Sequence, residues 1–290
     1  MERQIYGMLA GMFFLTACAI NPEPQNMEEP PSWSVGLTWG STGSGATSYA
    51  HPVLLAGFTG TMDEASVFCC WYDPVSSTWQ DGTPPVLDRY ASLNLVAISC
   101  GETTKDLTSL PQSLVADASH QELWLMDYQA EATKGHVNLR LHHLMSQVGI
   151  RIQLEDEQLA ALEPVDVTLR AYTQATVEYE EERLVPSGIP EQVACGAFTE
   201  SGDFSGMWEG CSLLTVIPQT FRAGETCLTF RVDGNNYTFR PDKDITLTPG
   251  RITYLNLGVA YDRITLSIAE GGISVNGWGS GGDLSGGEAG

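Results

Sequence analysis

Three of the five histidines, His136, His142 and His143, fall close together near the middle of the chain. Imidazole is the commonest protein metal ligand and titrates near neutrality. His136 and His142 have even spacing and share one face of an extended strand. Zinc requires three or four convergent ligands, and this spacing offers two, so the histidines read as packing or turn residues and no metal ligand is assigned. Cys69, Cys70, Cys100, Cys195, Cys211 and Cys227 contain no CxxC pair, which excludes a zinc ribbon or a thioredoxin motif. Each is read as a free buried thiol, with a Cys195–Cys211 disulfide left open as an alternative for an exported chain. The acids Glu178, Glu180, Glu181 and Glu182 lack the oxygen spacing and glycine of a calcium loop, and they read as a solvated face. There is no GxSxG elbow and no signature that sets a Ser or Cys beside a His. No catalytic residue and no cofactor are therefore assigned. Trp71, Trp79, Trp124 and Trp208 could stack sugars if they shared one surface; otherwise they are core.

One further thiol has a different context. Cys18 follows Leu15-Thr16-Ala17, and the run Ile5 to Phe14 before it is apolar but too short to span a bilayer. This pattern looks like a bacterial lipobox, in which cleavage between Ala17 and Cys18 frees a thiol that takes a diacylglyceryl group. Several acyl chains hold a protein on a membrane where one would not. Residues 1–17 are thus expected to be a lipoprotein signal peptide, and the proline-rich 18–32 a tether.

The chain has 290 residues, 42% of them hydrophobic, and 36 acids against 14 bases give a net charge of -22. A surface this acidic excludes nucleic acid as a partner, because phosphate binding depends on Lys and Arg. It also argues against a polybasic hold on anionic lipid. The charge itself reads as a solubility device.

The elements that would position these residues are mostly strands. Trp33, Val35, Leu37 and Trp39 alternate with polar residues, as a half-buried strand requires. Further runs are Val53–Thr59, Ser66–Tyr72, Leu93–Ser99, Leu123–Tyr128, Val137–His142 and Val148–Leu154. The last two are expected to close a first domain. Glu155–Glu163 reads as a short helix or linker ended by Pro164, and Val165–Ala171 restarts the alternation. Val177–Cys211 reads as irregular. Strands resume at Leu213–Ile217, Cys227–Val232, Tyr237–Arg240, Ile245–Leu247, Ile252–Val259, Ile264–Ile268 and Ile273–Trp278, with a hairpin turn signal from Asp233. Many short strands without βαβ alternation point to β-sandwiches. The domains are expected at 33–160 and 161–278, followed by a glycine-rich tail at 279–290.

The order of these segments resembles the fimbrillin (Mfa-like) family. The resemblance is carried by the lipobox at Cys18, the Trp79 segment before Leu93–Ser99, and Val137–Leu144 running into Val148–Ile152. It continues with Leu214-Thr215-Val216-Ile217-Pro218-Gln219-Thr220, Thr248–Leu257 and Ile273–Trp278. It implies an all-β fold of two tandem transthyretin-like β-sandwich domains behind a lipoprotein signal peptide. It also implies a fimbrial subunit at the outer membrane, held by lipid on Cys18. Its partners would be other subunits and a host or bacterial surface ligand. Assembly would proceed by strand exchange, in which an Arg-specific protease removes the first strand and a neighbour's strand takes its place. The strand-exchange candidates are Trp33, Val35, Leu37 and Trp39 at one end and Ile273, Val275 and Trp278 at the other. Two departures qualify this. No Arg or Lys lies between Arg3 and Arg89, so that cut has no site: either another protease acts, or the subunit keeps its lipid and first strand, which suits an anchor or accessory subunit. Residues 279–290 are poor in apolar side chains and cannot fill a groove. The rival reading is a glycan-binding surface lipoprotein that uses the tryptophans.

Overall fold

The structure, a computed structural model, describes residues 32–39, 51–61, 65–82, 85–101, 103–115, 124–155, 159, 161–201, 206–260, 263–266 and 273–277. For Trp39 and the last two segments only the backbone is described. Ala17, Cys18, the tether as far as residue 31, the loop at 40–45, His120, Trp278 and the tail at 279–290 lie outside these residues.

Apart from two short 3-10 turns, the regular elements are strands. The first part of the chain forms β1 (Ser34–Trp39), β2 (Val53–Phe58), β3 (Phe68–Asp73), β4 (Thr78–Trp79), β5 (Ser92–Cys100), β6 (Ser113–Val115), β7 (Trp124–Thr133), β8 (His136–His143) and β9 (Ser146–Leu154). Then follow β10 (Val165–Ala171), β11 (Gln174–Glu178), β12 (Arg183–Ser187), β13 (Glu191–Ala194), β14 (Phe198–Glu200), β15 (Met207–Gly210) and β16 (Leu214–Val216). The set ends with β17 (Thr220–Phe221), β18 (Leu228–Val232), β19 (Asn235–Phe239), β20 (Ile245–Thr246), β21 (Arg251–Ala260), β22 (Arg263–Leu266) and β23 (Ile273–Gly277). The all-β expectation therefore holds.

A seven-stranded sheet runs β1-β8-β7-β5-β2-β3-β4. Of its middle strands, β2 is apolar throughout and β5 mostly so because both faces are covered. Along β2, Leu54, Ala56 and Phe58 enter one core cluster, while Val53 and Leu55 enter another. On β5, Val96 and Ile98 face the first of these and Leu93, Leu95 and Ala97 the second. This is how a continuous apolar run becomes a strand rather than an exposed patch. The second cluster is completed by Trp33, Val35 and Leu37 from the first strand and by Val137, Leu139 and Leu141 from β8. The alternation read from sequence in these two segments is thus the alternation of buried and outward side chains.

The second seven-stranded sheet runs β14-β15-β9-β21-β22, with β16 also pairing β9 and β23 also pairing β21. At its centre β9 and β21 are parallel over eight residue pairs, from Ile252↔Gln147 to Val259↔Leu154. Val148, Ile150 and Ile152 of β9 and Leu255, Leu257 and Val259 of β21 share one core with Leu169 of β10 and Leu228 and Phe230 of β18. Those last two strands belong to a four-stranded sheet, β13-β10-β18-β19. In it Asp233 and Gly234, both at positive φ, make the two-residue hairpin turn expected there.

Three expectations need correction. The strands Val137–His142 and Val148–Leu154 do not pair with each other: β8 lies in the first sheet and β9 in the second. Leu144 and Met145 still pack in the first half, and the chain enters the other core at Val148. Secondly, Val177–Cys211 is not irregular but contains β12 to β15 and the end of β11. These strands are too short for a period to show. β11 and β12 form a three-stranded sheet with β6, and Ala175, Val177, Tyr179 and Leu184 pack back onto the first half. Thirdly, the described part of 155–163 is a turn, with the Leu162 N–H donating to the Leu159 carbonyl, and no helix is assigned there.

On the outer face of the central parallel pair, Tyr254 lies opposite Gly149. The Arg151 guanidinium sits 5.1 Å from the Tyr254 ring centroid and pairs with Glu209 of β15 at 3.0 Å. A Cβ on Gly149 would stand 2.5 Å from two ring carbons of Tyr254. Gly149→Ala should therefore cost about 1–3 kcal/mol by overpacking, read by urea denaturation. Gly149→Ala/Tyr254→Ser should cost less than the sum of its parts. Additive costs would show that the ring is not what Gly149 accommodates.

Candidate functional site

The first strand is an edge. Among the described residues β1 pairs only with β8, in parallel, from Ser34↔His136 to Trp39↔Leu141. Trp33 is 1% exposed and its indole N–H donates to the Tyr90 carbonyl at 3.0 Å. Val35 and Leu37 are buried beside it. Each such side chain contributes about 1.5–3 kcal/mol on burial, so the strand is held by its apolar face as well as by its ladder. At the other end of the chain, β23 lies antiparallel to β21, with Leu255↔Ile273 and Thr253↔Val275.

β8 is held loosely on its other side. Its register with β7 covers Leu125↔His143 and Met126↔His142. The next rung would join Tyr128 to Arg140, but the strands splay there and two carboxylates occupy the gap. Asp127 Oδ2 accepts the Arg140 N–H at 2.8 Å, and Glu182 Oε1 accepts the Tyr128 N–H at 2.6 Å. His142 completes the group, with Nε2 4.0 Å from Glu182 Oε2. Burial pushes the Asp127 carboxyl up to about 6, with the facing Glu182 adding to the rise and the Arg140 N–H and His142 opposing it.

Glu182 reaches this place because the β11–β12 turn docks on the first half. The Tyr179 hydroxyl donates to the Pro111 carbonyl at 2.5 Å, and the Val177 N–H to the Gln112 carbonyl at 3.1 Å. Glu182 itself has φ +53, a left-handed conformation uncommon for a residue other than glycine. The expectation of a solvated acidic face thus fails for Glu182, which turns inward. Sequence reasoning missed Asp127 altogether: it is one acid in a strand, and its partners come from distant segments.

The remaining candidates do not converge. His136 lies at the first strand, with Nδ1 3.3 Å from Ser34 Oγ. Among the described residues no two cysteines form a disulfide; Cys195 is buried and Cys211 exposed, so the alternative staple is not made. Burial pushes Cys195 and Cys227 each up to about 12, far from the reactive thiolate range. The tryptophans form no common platform. Trp124 and Trp71 pack in the core facing β11, Trp79 in the core of the first strand, and Trp208 in that of the second sheet. A cleft of about 900 Å³ near the β11–β12 turn is lined by Phe58, Leu110, Gln112, Tyr179 and Glu180, and no indole is among its described lining residues.

Among the described residues the protein is all-β, and its first strand forms one edge of a sheet. A family model for fimbrillin-like proteins matches residues 81–278, more than half of the chain. The chain belongs to the fimbrillin-like family. It is a structural or adhesive fimbrial subunit, non-catalytic, acting with other subunits at the cell surface. Solved structures share the fold at low identity. A candidate cell-adhesion protein from Bacteroides uniformis is 15% identical with a TM-score of 0.52, covering 83% of this chain and 97% of its own. A second, from Bacteroides ovatus, is 12% identical with a TM-score of 0.53 and coverages of 86% and 98%. A candidate adhesin from Bacteroides thetaiotaomicron is 12% identical with a TM-score of 0.52, covering 86% and 97%. A comparison with curated protein sequences finds no match.

His143, next to the cluster, gives a pH test. Burial depresses its pKa to about 4, and His142 adds to the effect. The unfolded chain, with an ordinary value near 6.5, then binds the proton more readily than the native state. The stability this contributes is present above about pH 6.5 and lost as the pH falls towards 4. Asp127, raised in the native state, works in the opposite sense, so the comparison must be between variants. His143→Asn should flatten the fall in unfolding free energy between pH 6.5 and 4. Parallel profiles for the variant and the parent would remove His143 from the account.

Proposed function

We propose that this chain is an outer-membrane lipoprotein that anchors or decorates a fimbria, with lipid on Cys18 and two tandem transthyretin-like sandwich domains. Subunits join by strand exchange at the β1 position. The observation that carries this reading is the first strand itself: an edge strand, laddered among the described residues to β8 alone, with three buried apolar side chains. A strand donated by a neighbour would satisfy the same β8 backbone groups and fill the same three places. Trp33, Val35, Leu37 and Trp39 are the positions to be exchanged. Ile273, Val275 and Trp278 are the candidate donors, since residues 279–290 lack the side chains to do it. With no Arg or Lys between Arg3 and Arg89, either another protease opens the β1 position, or the subunit keeps its first strand and its lipid, as an anchor or accessory component does, and exchanges only as a donor. A surface ligand, host or bacterial, would be met by the exposed end of such a subunit.

Mass analysis of the protein taken from cells tests the anchor role. Acyl groups on a chain that begins at Cys18 are expected. A chain that begins beyond Trp39 would make it a processed stalk subunit, and an unmodified Cys18 behind an intact Met1 would remove the lipoprotein reading. Strand exchange has its own test. A chain lacking residues 18–39 should bind a peptide of residues 33–39 and gain stability from it, whereas the peptide carrying Leu37→Asp should do neither. Equal effects of the two peptides would count against a groove that reads side chains.

A further inference from the structure

We propose that Asp127, His142 and Glu182 bind one divalent transition-metal ion of the zinc type. One ligand atom from each of the three lies within 4.8 Å of the others. Two ligands that share an ion at about 2 Å stand no more than about 4 Å apart, so small side-chain rotations close the set.

The ligands are already oriented. Asp127 and Glu182 each give one oxygen to a backbone N–H at the splayed rung, those of Arg140 and Tyr128. Such outer bonds fix the angle at which a ligand is presented. The two carboxylates are also joined to each other by a side-chain hydrogen bond, and a cation would take the place of the proton they share. The two carboxylates are brought together without a basic partner. Among the described residues neither is paired with a Lys or Arg, and Arg183, the nearest in sequence to Glu182, pairs with Glu178 instead. His142 is the one group of opposite tendency, at 4.0 Å. A cation supplies the charge that the local chain does not.

The donor types narrow the ion. One imidazole with two carboxylates suits zinc and its neighbours. Calcium takes six to eight oxygens and magnesium a largely hydrated octahedron, and neither favours an imidazole. Three protein ligands leave a position open to water. The ion would join three separate segments, the strands β7 and β8 and the β11–β12 turn, and would close the gap where the ladder is broken. This reverses the sequence-based expectation for His142 and leaves it in place for His143. It does not depend on the lipid or on strand exchange.

The experiment is a calorimetric titration of the EDTA-treated full chain with ZnCl2, with the melting temperature followed in parallel. Salt is held at about 0.15 M so that exposed charges are screened. One Zn2+ per chain and a rise of several degrees in melting temperature are expected, with no comparable response to CaCl2 or MgCl2. His142→Asn should lower the affinity at least tenfold. Glu182→Gln, which keeps an oxygen for the Tyr128 N–H, should do the same, and His136→Asn should change nothing. The metal-free melting temperature of each variant shows whether it folds. No saturable binding, equal binding of Ca2+, or binding indifferent to both His142→Asn and Glu182→Gln would overturn the site and leave the two carboxylates as caps of a broken ladder.

Discussion

A β-sheet must stop somewhere, and the backbone donors and acceptors at each stopping point must find partners or stay in water. That constraint organises this molecule. At β1 the sheet ends on an edge strand held by a parallel ladder and by three buried side chains. At the splay between β7 and β8 the missing rung is replaced by two carboxylates. Where the chain turns from β10 towards β11, the Gln219 amide does the same work. Its Oε1 accepts the Tyr172 N–H at 3.1 Å, its Nε2 donates to the Ile217 carbonyl at 3.0 Å, and its backbone carbonyl takes the Leu247 N–H at 2.8 Å. Gln219 is 8% exposed, and a buried amide with these bonds satisfied is a stable way to end a ladder.

The same residues explain how the two halves of the chain hold together. Val216 packs in the core of the second sheet and Ile217, next in sequence, in a core of the first half. The chain thus places neighbouring side chains in different cores just where β16 ends. The β11–β12 hairpin makes the complementary excursion: it leaves β10 in one half and packs on the other. Two crossings, joined by the Gln219 to Tyr172 bond, tie the halves more firmly than a linker would. The motif around Pro218 and Gln219 is a fold motif for this reason, since its residues bridge layers rather than face a substrate.

The strands were legible where one physical rule decided them. Alternation at Val137–Leu141 and in the first strand, continuous apolar runs at β2 and β5, and the Asp233-Gly234 turn each reflect a single requirement of burial or backbone geometry. The pairing of those strands was not legible. β8 and β9 adjoin in sequence and alternate alike, and nothing local says that one pairs with β1 and the other with β21, which lies far along the chain. β12 to β15 escaped because strands of three to five residues show too few periods. The candidate site was the least legible part. Glu182 sits in an acidic run whose usual meaning is solvation, and only its positive φ and the docking of Tyr179 turn it inward. His142 and His143 look equivalent as a pair, yet alternation sends one to the splayed ladder and the other into a largely buried place.

The broken ladder also bears on what the first strand does. β8 has six residue pairs with β1 and two with β7, so most of its regular pairing lies on the β1 side. Removing β1 would expose the backbone groups of β8 along nearly its whole length, together with the apolar places of Trp33, Val35 and Leu37. A sheet in that state satisfies itself by accepting another strand or by losing β8 as well. The carboxylates at the splay bear on that choice, because Asp127 holds the Arg140 N–H and Glu182 the Tyr128 N–H independently of β1. Leu139 and Leu141, both fully buried, add an apolar hold on the same strand. β8 therefore has anchors that survive the loss of its neighbour. A strand that keeps its place when its partner leaves is the condition for an open groove rather than a collapsed edge, and the proposed strand exchange would depend here on side chains that interrupt the ladder instead of extending it.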